Sequence, residues 1–258
     1  MKSVILAGGL GTRLREETEF KPKPMVRIGD KPIIWHIMRI LGAYDLNDFV
    51  LALGYKGEQI KSYFEDYQLH SRDIEIEIVR SEHKMTESLS DRPGWRVELR
   101  DTGLETMTGG RIFNLRDTLK ETFLCTYGDG LANIDIASLI QFHKSHGKLA
   151  TVTAAIPKSR FGALTIEKSD NSVTSFLEKP KNSDYVSAGF FIFEPKIIEY
   201  LGENSILEKE PLENLAVDNQ LMAYKHDGFW QPMDTLRENQ ELNELWESGD
   251  APWKIWQN

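Results

Sequence analysis

The sequence contains a single cysteine, Cys125, among its 258 residues, so it cannot form an intrachain disulfide. Cys125 lies in an apolar run and is expected to be a small core residue rather than a nucleophile. The chain has no Cys/His cluster with zinc-site spacing. It also lacks an apolar stretch of the ~20 residues that a membrane span needs, and a cationic segment followed by a long apolar one at its N-terminus. We therefore expect a cytoplasmic protein with no membrane partner.

Positive charge is also scarce, because 40 acidic residues face 31 lysines and arginines, for a net charge of −9. A surface of that sign repels polyanions, so general nucleic-acid binding is not expected. An anionic substrate must then be met by a local group of cations. The length, with 40% hydrophobic and 28% charged residues, fits an ordinary globular protein with one large α/β core.

The common nucleotide-binding signatures are missing as well: the P-loop, the dinucleotide fingerprint and the D-x-D metal motif do not occur. Instead, the apolar run Val4–Ala7 reads as a short buried strand and leads directly into Gly8, Gly9 and Gly11. Such a loop can present successive backbone N–H groups to phosphate oxygens. Arg13 and Lys23 add two cations nearby. These residues together indicate a nucleotide triphosphate site, although a tight strand-to-helix turn is the structural alternative.

Strand-like and helix-like segments alternate along the rest of the chain, which predicts a doubly wound, mostly parallel mixed sheet in one α/β domain over residues 1–258. The polar stretch Arg80–Gly94 interrupts this pattern as a small β excursion. The alternating segments Ile74–Ile78 and Trp95–Leu99 on either side of it are predicted to pair as a hairpin. Ligands of such sheets bind beyond the carboxyl ends of the strands, where the glycine loop, Gly54, Gly128–Gly130 and Glu178–Pro180 are all expected.

Longer motifs carry a resemblance to a known family. The stretch Leu6–Leu14, followed by Lys21–Pro24, resembles the signature of the sugar-1-phosphate nucleotidyltransferases. Thr108–Arg111, Tyr127–Gly130 and His226–Asp234 resemble the branch of that family that transfers a cytidylyl group to glucose 1-phosphate. The resemblance implies a Rossmann-like nucleotidyltransferase fold, CTP and glucose 1-phosphate as substrates, CDP-glucose and pyrophosphate as products, Mg²⁺ as cofactor, and a homo-oligomer, in this family a hexamer.

The resemblance also implies roles for individual residues. Asp129 and Asp234 match the two positions that jointly hold Mg²⁺, Arg13 would meet the departing β- and γ-phosphates, and Lys23 the α-phosphate. Read without the resemblance, Asp234 could equally cap the helix that follows it, and Asp129 could be a turn residue. Arg111 or a main-chain N–H is expected to donate to the base, and for Arg111 the alternative is a contact with a neighbouring carboxylate.

The remaining predicted contacts form two sets. The nucleotide-binding set is Leu6, Ala7, Gly8, Gly9, Gly11, Thr12, Arg13, Lys23, Gly109, Gly110, Arg111 and Asp129. The sugar-phosphate set is Gly162, Glu178, Lys179 and Ser187, of which Ser187 stands where the family usually has Asn.

Three alternatives stay open from the sequence: a nucleotidyltransferase that uses another triphosphate or sugar phosphate, a glycosyltransferase, and a catalytically silent regulatory subunit. The missing D-x-D motif disfavours the glycosyltransferase, and the presence of Arg13, Lys23 and both aspartates disfavours the silent subunit. Trp253 and Trp256 in the C-terminal tail, if exposed, would indicate an assembly surface.

Overall fold

A computed structural model describes residues 1–67, 74–79, 82–87, 94–157, 163–167, 172–177 and 184–256. Its strands are β1 (Ser3–Ala7), β2 (Arg27–Ile28), β3 (Lys31–Pro32), β4 (Asp48–Leu53), β5 (Ile74–Val79), β6 (Glu82–Glu87), β7 (Arg96–Asp101), β8 (Phe123–Tyr127), β9 (Gly130–Ala132), β10 (Ala150–Ala155), β11 (Ala163–Ile166), β12 (Val173–Leu177), β13 (Val186–Phe193), β14 (Leu221–His226) and β15 (Trp230–Pro232). Within these ranges, no helix combines the length and the apolar content needed to cross a bilayer.

The α-helices are α1 (Arg15–Thr18), α2 (Ile33–Gly42), α3 (Gly57–Glu65), α4 (Thr108–Asn114), α5 (Ile136–His146), α6 (Glu210–Val217) and α7 (Leu236–Glu247), and short 3-10 helices cover Thr12–Leu14, Lys23–Met25 and Pro195–Tyr200. The main sheet has seven strands in the order β14-β10-β13-β8-β1-β4-β7. Its strands run parallel except β13, which is antiparallel to both of its neighbours. The predicted mostly parallel mixed sheet is therefore confirmed.

Helices cover both faces of this sheet, as the doubly wound prediction requires. The two-residue period of β1 sends Ile5 and Ala7 into one apolar cluster and Val4 and Leu6 into the other. We call these the first and the second cluster. Helices α2, α5 and α7 pack in the first, and α4 and α6 pack in the second. Because both faces are buried, the central strands read as unbroken apolar runs.

The predicted hairpin between Ile74–Ile78 and Trp95–Leu99 is wrong. Strand β5 pairs antiparallel with β6 inside the polar excursion, whereas β7 joins the edge of the main sheet, parallel to β4. Val97 and Leu99 pack against the first cluster on one side of β7. An edge strand covered on one face alternates as a hairpin strand does, so the pattern could not distinguish the two. The remainder of the excursion, 80–81 and 88–93, lies outside the described residues.

The carboxyl ends of three neighbouring parallel strands meet at one edge of the sheet, as predicted. Leu6 of β1 lies beside Tyr127 of β8, and Ala7 lies beside Leu53 of β4. The glycine loop, Gly54 and Gly128–Gly130 therefore follow adjacent strands at the same edge. Glu178–Pro180, the fourth predicted element there, lies outside the described residues.

The C-terminal tail packs inward, so the exposure under which its tryptophans would indicate an assembly surface is not found. Trp253 is fully buried and Trp256 is partly buried against the first cluster. The indole N–H of Trp253 donates to Nδ1 of His36 at 3.4 Å, and Nε2 of His36 lies 3.0 Å from the carbonyl oxygen of Ile28. This pairing places the His36 proton on Nε2. The tail thus completes the core, since the ring centroid of Trp253 lies 6.2 Å from that of His36 in α2 and 6.4 Å from that of Trp246 in α7.

We predict that His36 makes the protein less stable in acid. Burial lowers the pKa of His36 to about 4, with the Ile28 carbonyl partly offsetting that effect. Because this value lies below the ordinary 6.5, the unfolded chain takes up the proton first. The contribution is therefore complete above about pH 6.5 and is lost as the pH falls toward 4, by up to about 3 kcal/mol.

The measurement is the free energy of unfolding in urea at pH 7 and pH 4.5, for the wild type and for His36→Gln, whose amide can still donate to Ile28. The variant should lose less stability between the two pH values. Equal losses in both proteins would contradict the assignment.

Candidate active site

A cavity of about 350 Å³ opens at the carboxyl edge where β1, β4 and β8 end. Its lining residues come from the glycine loop, the 3-10 helix at Lys23, the segment before α4, and the turn after β8. They are Leu6, Ala7, Gly8, Gly9, Gly11, Thr12, Lys23, Pro24, Thr106, Met107, Thr108, Arg111, Tyr127, Gly128, Asp129 and Asp234. The structure thus brings together at one cavity most of the residues that the sequence predicted to bind a nucleotide.

Asp129 and Asp234 meet because a small two-stranded sheet joins their segments. Strand β9 pairs antiparallel with β15, with Gly130 opposite Pro232. One residue farther on, the backbone N–H of Met233 donates to the carbonyl oxygen of Asp129 at 2.8 Å. Met233 is itself fully buried in the first cluster and anchors this corner. The two aspartates therefore occupy adjacent positions beside the cavity.

Lys23 lies between these two carboxylates. Its Nζ donates to Oδ2 of Asp129 at 2.7 Å and to Oδ1 of Asp234 at 2.6 Å. The lysine is 8% exposed. Burial alone lowers the pKa of its ammonium, but the two carboxylates outweigh that effect and raise the pKa above its ordinary 10.5. Lys23 is consequently a cation at neutral pH, held at the point where both aspartates converge.

The structure removes the alternative in which Asp234 caps the last helix. Thr235 occupies the N-cap of α7, and its side chain accepts from the backbone N–H of Glu238. The Glu238 carboxylate reaches back to the N–H groups of Asp234 and Thr235, at 2.8 and 2.9 Å. This reciprocal pair is a capping box. The helix is therefore capped without the carboxylate of Asp234, which instead meets Lys23.

Arg111 lines the cavity but is 3% exposed, and its terminal amino groups bind the protein itself. Their acceptors are the carbonyl oxygens of Gly8, Leu53, Gly103 and Leu104 and the hydroxyl of Thr102, at 2.7 to 3.3 Å. The alternative of a contact with a carboxylate is thus corrected: the partners are mainly backbone carbonyls. If these amino groups donated to a base, they would have to break bonds that fasten the glycine loop to the end of β4 and to the segment after β7.

The position of Arg111 explains why glycine occurs at two neighbouring strand ends. A Cβ added to Gly8 would lie 2.2 Å from Nη1 of Arg111, and one added to Gly54 would lie 2.5 Å from the same atom. A side chain at either position would displace the guanidinium from the carbonyl oxygens that it binds. Gly8 therefore allows the guanidinium of Arg111 to lie directly against the loop. A Cβ added to Gly9 would meet no atom within 4 Å.

The other predicted residues are placed as follows. Gly109 and Gly110 are absent from the cavity lining, and a Cβ on them would meet Ser205 and the Glu203 carbonyl, so both pack closely against that segment; their contact with a nucleotide stays a prediction. Ser187 is exposed and is absent from the cavity lining. Gly162, Glu178 and Lys179 lie outside the described residues, as does the side chain of Arg13, whose backbone lies in the helix Thr12–Leu14.

Sequence reasoning missed several lining residues: Pro24, Thr106, Met107, Thr108 and Tyr127. Tyr127 ends β8 directly before Gly128, and Thr106–Thr108 lead into α4. Their place at the carboxyl edge of the sheet was a signal for this set. Their residue types were not, because a tyrosine at the end of an apolar run is as typical of a core.

Comparison with known proteins agrees with this geometry. The family model described as nucleotidyl transferase matches residues 2–233. A glucose-1-phosphate cytidylyltransferase of Salmonella typhi is 50% identical over 261 aligned residues that cover all of both chains. Mannose-1-phosphate guanylyltransferase 1 of Arabidopsis thaliana is 31% identical over 92% of this chain and 63% of its own length.

Among solved structures, a UDP-glucose pyrophosphorylase complexed with UDP-glucose superimposes with a TM-score of 0.69. The alignment covers 96% of this chain and 98% of that one, at 18% identity, and so bears on the fold alone. The family match spans nearly the whole chain, including the glycine loop, Lys23 and Asp129. The chain therefore belongs to the nucleotidyl transferase family.

Proposed function

We propose that this protein transfers the cytidylyl group of CTP to α-D-glucose 1-phosphate, giving CDP-glucose and pyrophosphate. The observation that carries the proposal is the 50% identity, over the full length of both chains, to the glucose-1-phosphate cytidylyltransferase of Salmonella typhi. The cavity supports the reaction class independently, since it combines a glycine loop with a buried ammonium and two carboxylates.

The chemistry joins two polyanions. A phosphate oxygen of the sugar phosphate attacks the α-phosphorus of the nucleotide, the bond from that phosphorus to the bridging β-phosphate oxygen breaks, and pyrophosphate leaves. No covalent bond to the protein is required, so positioning and electrostatic stabilisation are the protein's contribution. In this proposal Lys23 places its positive charge beside the α-phosphate, and Arg13 meets the departing phosphates. Charge that develops in the transition state is thereby stabilised more than charge in the substrates.

The donor set at the cavity fits a magnesium ion. Asp129 and Asp234 each accept a hydrogen bond from the Lys23 ammonium, whose positive charge holds the two carboxylates close together. Within the described ranges they are not joined by a third carboxylate, histidine or cysteine that could complete a protein cage. Mg²⁺ is usually held by one or two carboxylates, with phosphates and waters as its other ligands. Bound there, it would neutralise phosphate charge and orient the reacting groups.

The finer features of the proposal follow the same likeness. We place the sugar phosphate near Gly162, Glu178, Lys179 and Ser187, and the protein in the cytoplasm as a homo-oligomer. A different triphosphate is the principal alternative, because relatives in this family include a guanylyltransferase. A base is discriminated where the wrong one leaves a buried donor or acceptor unpaired, at about 1–3 kcal/mol for each group.

The proposal predicts a strong preference for CTP. Pyrophosphate release with glucose 1-phosphate and Mg²⁺ should be measured with CTP, UTP, GTP and dTTP in turn. We expect kcat/KM for CTP to exceed that for UTP by roughly tenfold or more. Equal values for CTP and UTP would reject the cytidylyl assignment and leave nucleotidyl transfer standing. Absence of release with every pair would reject the activity itself.

A second prediction concerns the two carboxylates. Asp129→Asn and Asp234→Asn should each lower kcat at least ~100-fold at saturating Mg²⁺, because an amide keeps the size of the side chain but loses the anionic ligand. Asp227→Asn, the same change at an exposed aspartate, is the matched control and should leave kcat unaltered. A kcat within about threefold of the wild type, a barrier change below ~1 kcal/mol, would remove that aspartate from the metal site.

A further inference from the structure

Tyr127 forms part of the cavity wall, and its ring is held closely on two sides. A Cβ added to Gly189 would lie 2.4 Å from Cδ2 of Tyr127, so the ring packs directly on that glycine. Phe191 meets the ring edge-on, with centroids 6.0 Å apart. The hydroxyl at the far end of the ring donates to Oε1 of Glu208. Backbone and aromatic packing therefore hold the body of the ring, while Glu208 alone is seen to hold its hydroxyl among the described residues.

Glu208 also binds a second residue of the wall. Its Oε2 accepts from the hydroxyl of Thr108 at 2.7 Å, and that hydroxyl in turn accepts from the backbone N–H of Leu207 at 2.9 Å. Thr108 is the first residue of α4 and lines the cavity. One carboxylate, on the segment before α6, thus joins the end of β8 to the start of α4.

The segments that carry these two hydroxyls and the segment that carries Lys23 pack on opposite faces of the sheet. Tyr127 packs against the second cluster, on the face of the sheet that carries α4. Met25, two residues after Lys23, and Met233, directly before Asp234, pack in the first cluster on the opposite face. The proposed function places the phosphates at Lys23, so the wall formed by Tyr127 and Thr108 is left for the nucleoside part of the substrate.

We propose that Glu208 is a positioning residue for nucleotide binding, which holds the Tyr127 and Thr108 hydroxyls and thereby fixes the nucleoside wall of the cavity. This inference rests on the proposed function, since it assumes that the cavity takes a nucleotide. Hydrogen bonds from hydroxyls to a carboxylate are charge-assisted and stronger than neutral ones.

The test measures nucleotide binding directly by calorimetry, and KM and kcat by pyrophosphate release. Glu208→Ala should raise the Kd and KM for CTP about 5- to 10-fold, the loss expected for about one hydrogen bond, with kcat within about threefold of the wild type and an unchanged KM for glucose 1-phosphate. Glu208→Gln keeps one carbonyl acceptor and should recover most of the affinity. Glu203→Ala removes the same charge from an exposed side chain nearby and is the matched control.

A background that lacks both hydroxyls, Tyr127→Phe with Thr108→Val, separates positioning from a general effect of charge or stability. Glu208→Ala should cause no further rise in Kd in that background. A rise that persists there, or an unchanged Kd in the single variant, would overturn the inference. Calorimetry with CTP, UTP and GTP does not depend on turnover. If the protein bound a nucleotide but released no pyrophosphate, the proposed function would be rejected, and the binding data would still test the role of Glu208.

Discussion

The ion pair that Lys23 makes with Asp129 and Asp234 is the interaction on which the candidate site depends. Two carboxylates beside a partly buried cavity repel each other unless a cation lies between them. Lys23 supplies that cation at 2.7 and 2.6 Å, from a short helix that packs against Gly128 through Pro24. The pairing of β9 with β15 brings the second aspartate across more than a hundred residues of chain. The fold therefore brings the two carboxylates together, and the Lys23 ammonium offsets the repulsion between them.

Arg111 plays the corresponding part on the other side of the cavity. It carries a positive charge close to the site, yet its amino groups are bound to carbonyl oxygens at the ends of β1 and β4 and in the segment after β7. Its role in the structure is thus to fasten the glycine loop. The cavity has a charged wall built on Lys23 and a polar, aromatic wall built on Tyr127 and Thr108, and this division suits a ligand with a phosphate end and a nucleoside end.

Local patterns predicted the parts of this arrangement that depend on neighbours in the chain. The apolar run at Val4–Ala7, its glycines and the strand that ends at Tyr127 are all legible from period and turn chemistry. Features that depend on distant partners were not. The residues adjacent to Trp253 do not indicate that it packs against α2 and α7. Likewise, the residues adjacent to Arg111 do not indicate that its acceptors are carbonyls on three other segments. The role of Asp234, by contrast, could have been inferred locally, because Thr235 and Glu238 form a capping box that caps the helix without the Asp234 carboxylate.

The most direct test of this account is a double-mutant cycle between Lys23 and Asp234. The free energy of unfolding in urea at pH 7 should be measured for the wild type, Lys23→Met, Asp234→Asn and the double variant. The carboxylate is about a fifth exposed, so solvent screens the pair in part, and we expect a favourable coupling free energy of about 1–2 kcal/mol. A coupling of zero would mean that Lys23 does not lie between the aspartates in solution, and the charged wall described here would not exist.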